Sequence, residues 1–252
     1  MVSPHARGRR ALVRRLIALA ALLTAACATG RPEEARTALD LGARTLPADH
    51  SAVVRYVALG DSTVEGVGAT RAEFNYVSRL HERLRAVYPA ARVVNLGVGG
   101  ATSADVLRRQ LERAIELSPH LVTLSIGPND ITTRVDVTEY ERNVDAILRR
   151  LRDETTAVVV VNLIPDLVMT PRFRKHRARE AIAQQNVLFN EALERLGTGY
   201  GAEVVDLYTA SQREVPSRRA LVGRDGYHPS DLGYALWAEL VWAGIEARIA
   251  VQ

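Results

Sequence analysis

Apolar positions along the chain follow two alternating periods. Short runs rich in Val, Ile and Leu occupy residues 53–59, 92–96, 121–126, 156–163 and 203–207. The first four lead into a glycine or proline turn, the pattern of short strands buried on both faces. Between them, apolar residues recur at three- and four-residue steps: Phe74, Val77, Leu80, Leu84 and Val87, then Val106, Leu107, Leu111, Ala114 and Ile115, then Tyr140, Val144, Ile147, Leu148 and Leu151. That spacing is the stripe of an amphipathic helix. It predicts helices at 74–87, 103–117 and around 140–151, with longer ones at 177–196 and 232–249. Strands alternating with helices predict an α/β fold with one five-stranded parallel sheet, because parallel neighbours need a crossover. Right-handed crossovers make it a doubly wound, flavodoxin-like three-layer α/β/α sandwich. No internal repeat is evident.

The N-terminus follows another rule. An Arg-rich stretch to Arg15 precedes an apolar run from Leu16 and the small residues Thr24-Ala-Ala-Cys27-Ala28. These are the three parts of an export signal, and the run is shorter than the roughly 20 residues of a spanning helix. Two exits are open. Ala26-Cys27-Ala28 fits a small-x-small cleavage site, and Thr24-Ala-Ala-Cys27 resembles a bacterial lipobox in which Cys27 is lipidated. Arg9-Arg10 resembles a twin-arginine signal, although the second pair, Arg14-Arg15, offers a plainer account, a strongly basic n-region. The expected organisation is an export signal at 1–28, a flexible tether at 29–50 with a short helix at 36–44, and a catalytic domain at 51–252. The location this implies is the cell envelope or the exterior, with membrane attachment if Cys27 carries lipid.

Composition narrows the function classes. Hydrophobic residues make up 47% and charged residues 25%, which excludes a disordered or fibrous chain. The single Cys excludes a disulfide scaffold. The net charge of +4 is smaller than the five arginines of residues 1–26, so the remainder is near neutral and calls for no nucleic-acid partner. His50, His81, His120 and His176 stand apart, with no metal-ligand spacing.

In a doubly wound sheet, ligands gather at the carboxyl ends of strands. Four turns in those positions carry polar groups: Gly60-Asp61-Ser62, Asn95 to Gly100, Gly127-Pro128-Asn129-Asp130, and Asp225-Gly-Tyr-His228. Each alone is ordinary turn or cap chemistry. Together they supply a serine nucleophile (Ser62), a base (His228), a carboxylate to orient that base (Asp225), and oxyanion donors in the Ser62 N–H, the Gly100 N–H and the Asn129 amide. Gly97 and Gly99 leave the glycine assignment open. Gly97-x-Gly99 lacks the third glycine of a phosphate-binding loop.

These four blocks, in this order across residues 57–229, resemble the SGNH hydrolases, also called GDSL esterases and lipases. Thr63 stands where the family's first block has Leu. The resemblance implies a serine esterase or lipase that forms an acyl-enzyme on Ser62 and needs no metal or cofactor. It implies small-molecule, lipid or glycan esters as substrates. A thioesterase or transacylase using the same residues remains open, as does a catalytically silent envelope-binding module on the same fold. Ser125, in a near nucleophile-elbow sequence, is expected to be a buried strand residue. The apolar segment from Leu163 to Phe173 is expected either to wall an acyl pocket or to cover the sheet edge.

Overall fold

A computed structural model describes residues 43–250. Its five parallel strands are β1 (Arg55–Gly60), β2 (Arg92–Asn95), β3 (Leu121–Ser125), β4 (Val158–Asn162) and β5 (Glu203–Val205). They form one sheet in the order β2-β1-β3-β4-β5. The order reverses between β1 and β3, the switch point of a flavodoxin-like sheet. The expected fold class is therefore present. Val57 pairs with Val94 and Val122, and Leu124 with Val161. This register puts Val57, Leu59, Val122, Leu124 and Val161 on one face and Tyr56, Ala58, Leu121, Val158 and Val160 on the other.

The helices are α1 (Ser62–Glu65), α2 (Tyr76–Val87), α3 (Ser103–Asp105), α4 (Leu111–Glu116), α5 (Pro128–Thr133), α6 (Val137–Glu154), α7 (Pro171–Arg174), α8 (Arg179–Gly199), α9 (Leu207–Glu214) and α10 (Asp231–Glu246). Helices α4, α6 and α8 cover one face of the sheet, and α2 and α10 the other. Helix α6 shows why. Asp136 caps its start by accepting from the Thr138 N–H at 2.8 Å. Its buried stripe is the expected one, Tyr140, Val144, Ile147, Leu148 and Leu151. Each such side chain stabilises the fold by about 1.5–3 kcal/mol relative to exposure. A charge at Val144, which is fully buried, would forfeit that packing and strand an ion in the core.

Several boundaries differ from the expectation for local reasons. The fifth strand stops at Val205 because Asp206 caps α9, a helix that the sequence pattern does not announce. Pro171 starts the short α7, so the long helix begins at Arg179 rather than 177. The helix expected over 103–117 is interrupted by a π turn at Val106–Gln110.

The expected tether is corrected at its end. Leu46 is 1% exposed and its N–H donates to the Arg248 carbonyl at 2.7 Å. Arg44 donates to the Arg152 carbonyl, and Pro47 accepts from the Tyr88 hydroxyl. Residues 43–50 thus belong to the packed body, and residues 43 and 44 are not helical. The expected export signal, Cys27 and residues 29–42 lie outside the described residues.

Candidate active site

Strand β1 ends at Gly60, and the chain turns into α1 with Ser62 as its first residue. Asp61 caps the helix, its Oδ1 accepting from the Thr63 N–H at 2.9 Å and the Thr63 hydroxyl at 2.8 Å. At the first helical position the Ser62 N–H has no intrahelical acceptor, so it points outward as a free donor. The helix cap and the Ser62 turn are one structure here.

The last block folds back on this turn. Val222 bridges Pro229, and the Gly223 N–H donates to the His228 carbonyl at 2.7 Å. Asp225 Oδ1 accepts from the Tyr227 N–H at 2.9 Å and the His228 N–H at 3.0 Å. Its Oδ2 lies 2.5 Å from His228 Nδ1. His228 Nε2 lies 2.9 Å from Ser62 Oγ. A carboxylate only accepts, so Nδ1 carries the proton and Nε2 accepts from the serine hydroxyl. Partial burial pushes the Asp225 carboxyl up, but the bonds from His228 and the two amides outweigh it and hold the group below the usual range. The His228 side chain is 15% exposed and that of Asp225 43%.

Contacts separate the three glycines after β2. A Cβ at Gly97 would lie 2.5 Å from the Val64 Cβ, and the Gly99 N–H is taken by Glu65 Oε2 at 2.6 Å. Both glycines serve the packing of this loop on α1. Gly100, at φ +79°, has open space around its Cβ direction and borders the groove that holds Ser62. The Asn129 Nδ2 donates to the Ala101 carbonyl at 2.9 Å, which fixes the amide and leaves its second N–H. Asp130 plays another part. It is fully buried and accepts from the Ser103 N–H and hydroxyl, tying α5 to α3. Burial raises its carboxyl to about 6, and burial does the same to Asp61.

Ser62, Gly100, Asn129 and His228 share one groove of about 910 Å³, with Ile131, Val137 and Phe173 among its apolar walls and Arg134 and Arg172 at its edge. A second, apolar cleft of about 110 Å³ lies behind His228, lined by Thr63, Leu167 and Trp237. The segment from Leu163 to Phe173 contributes to both: Pro165 and Leu167 to the cleft, Arg172 and Phe173 to the groove. Tyr227, which no sequence pattern singles out, borders both and packs edge-on against His228 and Phe173. Ser125 is a buried strand residue bonded to Tyr76 and Asn162. Among the described residues no cluster of His, Cys, Asp or Glu could hold a metal ion.

The profile of the GDSL-like Lipase/Acylhydrolase family matches residues 58–236. The chain belongs to this family. It is thereby an ester hydrolase by class. An acetylxylan esterase of Geobacillus stearothermophilus is 27% identical over 189 residues, 71% of this chain and 84% of the relative. Among solved structures, that organism's acetylxylan esterase Axe2 aligns with a TM-score of 0.61 at 23% identity, over 76% of this chain and 94% of its own. LAE5, an alpha/beta hydrolase enzyme from the metagenome of Lake Arreo in Spain, aligns at 0.64 and 22% identity, over 80% and 99% of the two chains. At these identities the structural likenesses carry the fold.

Proposed function

We propose that the protein is an exported serine esterase that hydrolyses carboxylic esters through an acyl-enzyme on Ser62. The observation that carries this reading is the unbroken chain from Asp225 through His228 to Ser62, with Ser62 Oγ 2.9 Å from Nε2. Ser62 Oγ attacks the ester carbonyl while His228 Nε2 takes its proton. Asp225 holds the required tautomer and stabilises the imidazolium. The oxyanion sits among the Ser62 N–H, the Gly100 N–H and the free N–H of Asn129, each such donor being worth about 3–4 kcal/mol in the transition state. His228 then protonates the leaving alcohol, and a water activated by the same nitrogen releases the acid.

The wide groove, with polar as well as apolar walls, suits a bulky polar alcohol such as a glycan, in keeping with the acetylxylan esterase relative. Ser62 borders this groove and not the cleft behind His228, so the short-acyl assignment rests on the acetylxylan esterase relative. Export rests on the Arg-rich and apolar segments before residue 28, and attachment to a membrane on lipidation of Cys27. The test is hydrolysis of p-nitrophenyl esters from acetate to palmitate, and of acetylated xylan, by wild type and Ser62→Ala. Turnover on short chains, lost in the variant, supports the reading. A variant as active as wild type removes Ser62 from the mechanism, and a preference for palmitate overturns the short-acyl assignment.

A further inference from the structure

Strand β2 leaves the sheet early. Its last pair with β1 is Asn95 opposite Ala58, after which the chain swings out to form the loop that ends at Gly100. On that side the Gly60 carbonyl still receives the N–H of a residue after β2, but the Gly60 N–H has no strand carbonyl to meet. A side chain supplies the missing acceptor. The Gly60 N–H donates to Gln110 Oε1 at 2.9 Å, and Gln110 Nε2 donates to the Gly60 carbonyl at 2.8 Å. Gln110 is 3% exposed, fifty residues away in sequence, and ends the π turn. In that turn the Leu111 N–H bonds to the Val106 carbonyl, five residues back. Inserted π turns often mark functional sites.

The Gly60 carbonyl also accepts from the Val98 N–H at 3.2 Å, within the loop that carries Gly100. Gly60, two residues before Ser62, is thus held through the peptide groups on both of its sides, by Gln110 and by the oxyanion loop together. Gly60 itself cannot be replaced, because a Cβ there would lie 2.0 Å from the Ser125 carbonyl oxygen.

We propose that Gln110 is a positioning residue of the esterase site: its amide, acting as a substitute strand on Gly60, fixes the Ser62 turn in register with the Gly100 loop. This rests on the serine esterase reading above. Losing the amide lets two oxyanion donors drift apart, an error felt only where the oxyanion forms. The effect is on kcat, with KM unchanged.

The experiment compares Gln110→Leu, Gln110→Glu, Ser62→Ala and wild type on one p-nitrophenyl ester, at temperatures below each variant's own melting transition. In Gln110→Leu, kcat falls about 10- to 100-fold and KM holds. In Gln110→Glu, one oxygen still accepts from the Gly60 N–H, while the other faces the Gly60 carbonyl and needs a proton to donate. Its kcat relative to wild type therefore climbs as pH falls, which a general loss of stability would not produce. Should Gln110→Leu fail to fold, that pH-dependent ratio decides alone. A wild-type kcat in Gln110→Leu, or a flat ratio in Gln110→Glu, overturns the positioning role while an inactive Ser62→Ala leaves the esterase reading standing. An active Ser62→Ala overturns both.

Discussion

Replacing Asp225 by Asn should damage catalysis more than replacing it by Ala. The reason lies in how the carboxylate is held. Its Oδ1 accepts two backbone N–H groups, from Tyr227 and His228, at 2.9 and 3.0 Å. An Asn in this place keeps its single oxygen on those two donors, since turning the amide over would set an NH2 against two N–H groups. That flip would lose two hydrogen bonds of about 0.5–1.5 kcal/mol each, nearer the lower value because the side chain is 43% exposed. The amide NH2 then faces His228 Nδ1 and donates to it. Nδ1 becomes the acceptor, the proton moves to Nε2, and the imidazole meets Ser62 as a donor that cannot take its proton. A wrong tautomer of this kind costs about 10⁴ in kcat, or about 5.4 kcal/mol. With Ala, His228 loses its orienting partner but is free to sample the productive tautomer, so more activity survives than with Asn. The assay is kcat for short p-nitrophenyl esters, with active sites counted by fluorophosphonate labelling of Ser62. An Asn variant as active as the Ala variant would refute the tautomer argument.

Asn129→Ala should lower kcat by about 10²–10³ with little change in KM, measured on the same esters, since the amide acts on the oxyanion. Gly97→Ala should destabilise by about 1–3 kcal/mol in urea unfolding, because its Cβ would lie 2.5 Å from Val64 and 2.6 Å from the Glu65 nitrogen. Leu46→Ala should cost about 2–5 kcal/mol by the same measurement, because Leu46 is buried in the folded body. Burial lifts the Asp130 carboxyl from 3.8 to about 6. The native state then binds that proton more tightly than the unfolded chain, so stability falls as pH rises from about 4 to 6, by at most about 1.4 kcal/mol per pH unit. Asp61 carries the same shift, so Asp130→Asn should remove about half of the combined slope in melting temperatures, and an unchanged slope would assign it elsewhere. Asp225, held below the ordinary range, acts in the opposite sense and only at lower pH.

Most of the site is local in sequence, and that is why it can be read there. Asp225 and His228 sit three residues apart in one turn, and Ser62 follows directly on an apolar strand. What the sequence leaves open is settled by contacts between distant segments. Gly97, Gly99 and Gly100 look alike as letters, but α1 packs on the first and bonds the second. Asn129 and Asp130 are neighbours, yet one borders the groove and the other is buried on Ser103. Helix α9 buries only Leu207, so no stripe betrays it. Gln110 reads as a polar break in an apolar pattern, and its partners are backbone atoms that no side-chain pattern encodes.

The same residues show where local rules yield to the site. Asp61 is 1% exposed, and its Oδ2 has no partner among the described residues although Oδ1 caps the helix. A half-satisfied buried carboxyl costs stability, and Asn would cap as well without the charge. Beside it stand Gly60 and Gly100 at φ +147° and +79°, and a π turn interrupts the helix that follows. A chain selected for stability alone would accept none of these together. Their concentration around one serine is a physical ground for the proposal that this turn is the functional centre, separate from the family to which the chain belongs.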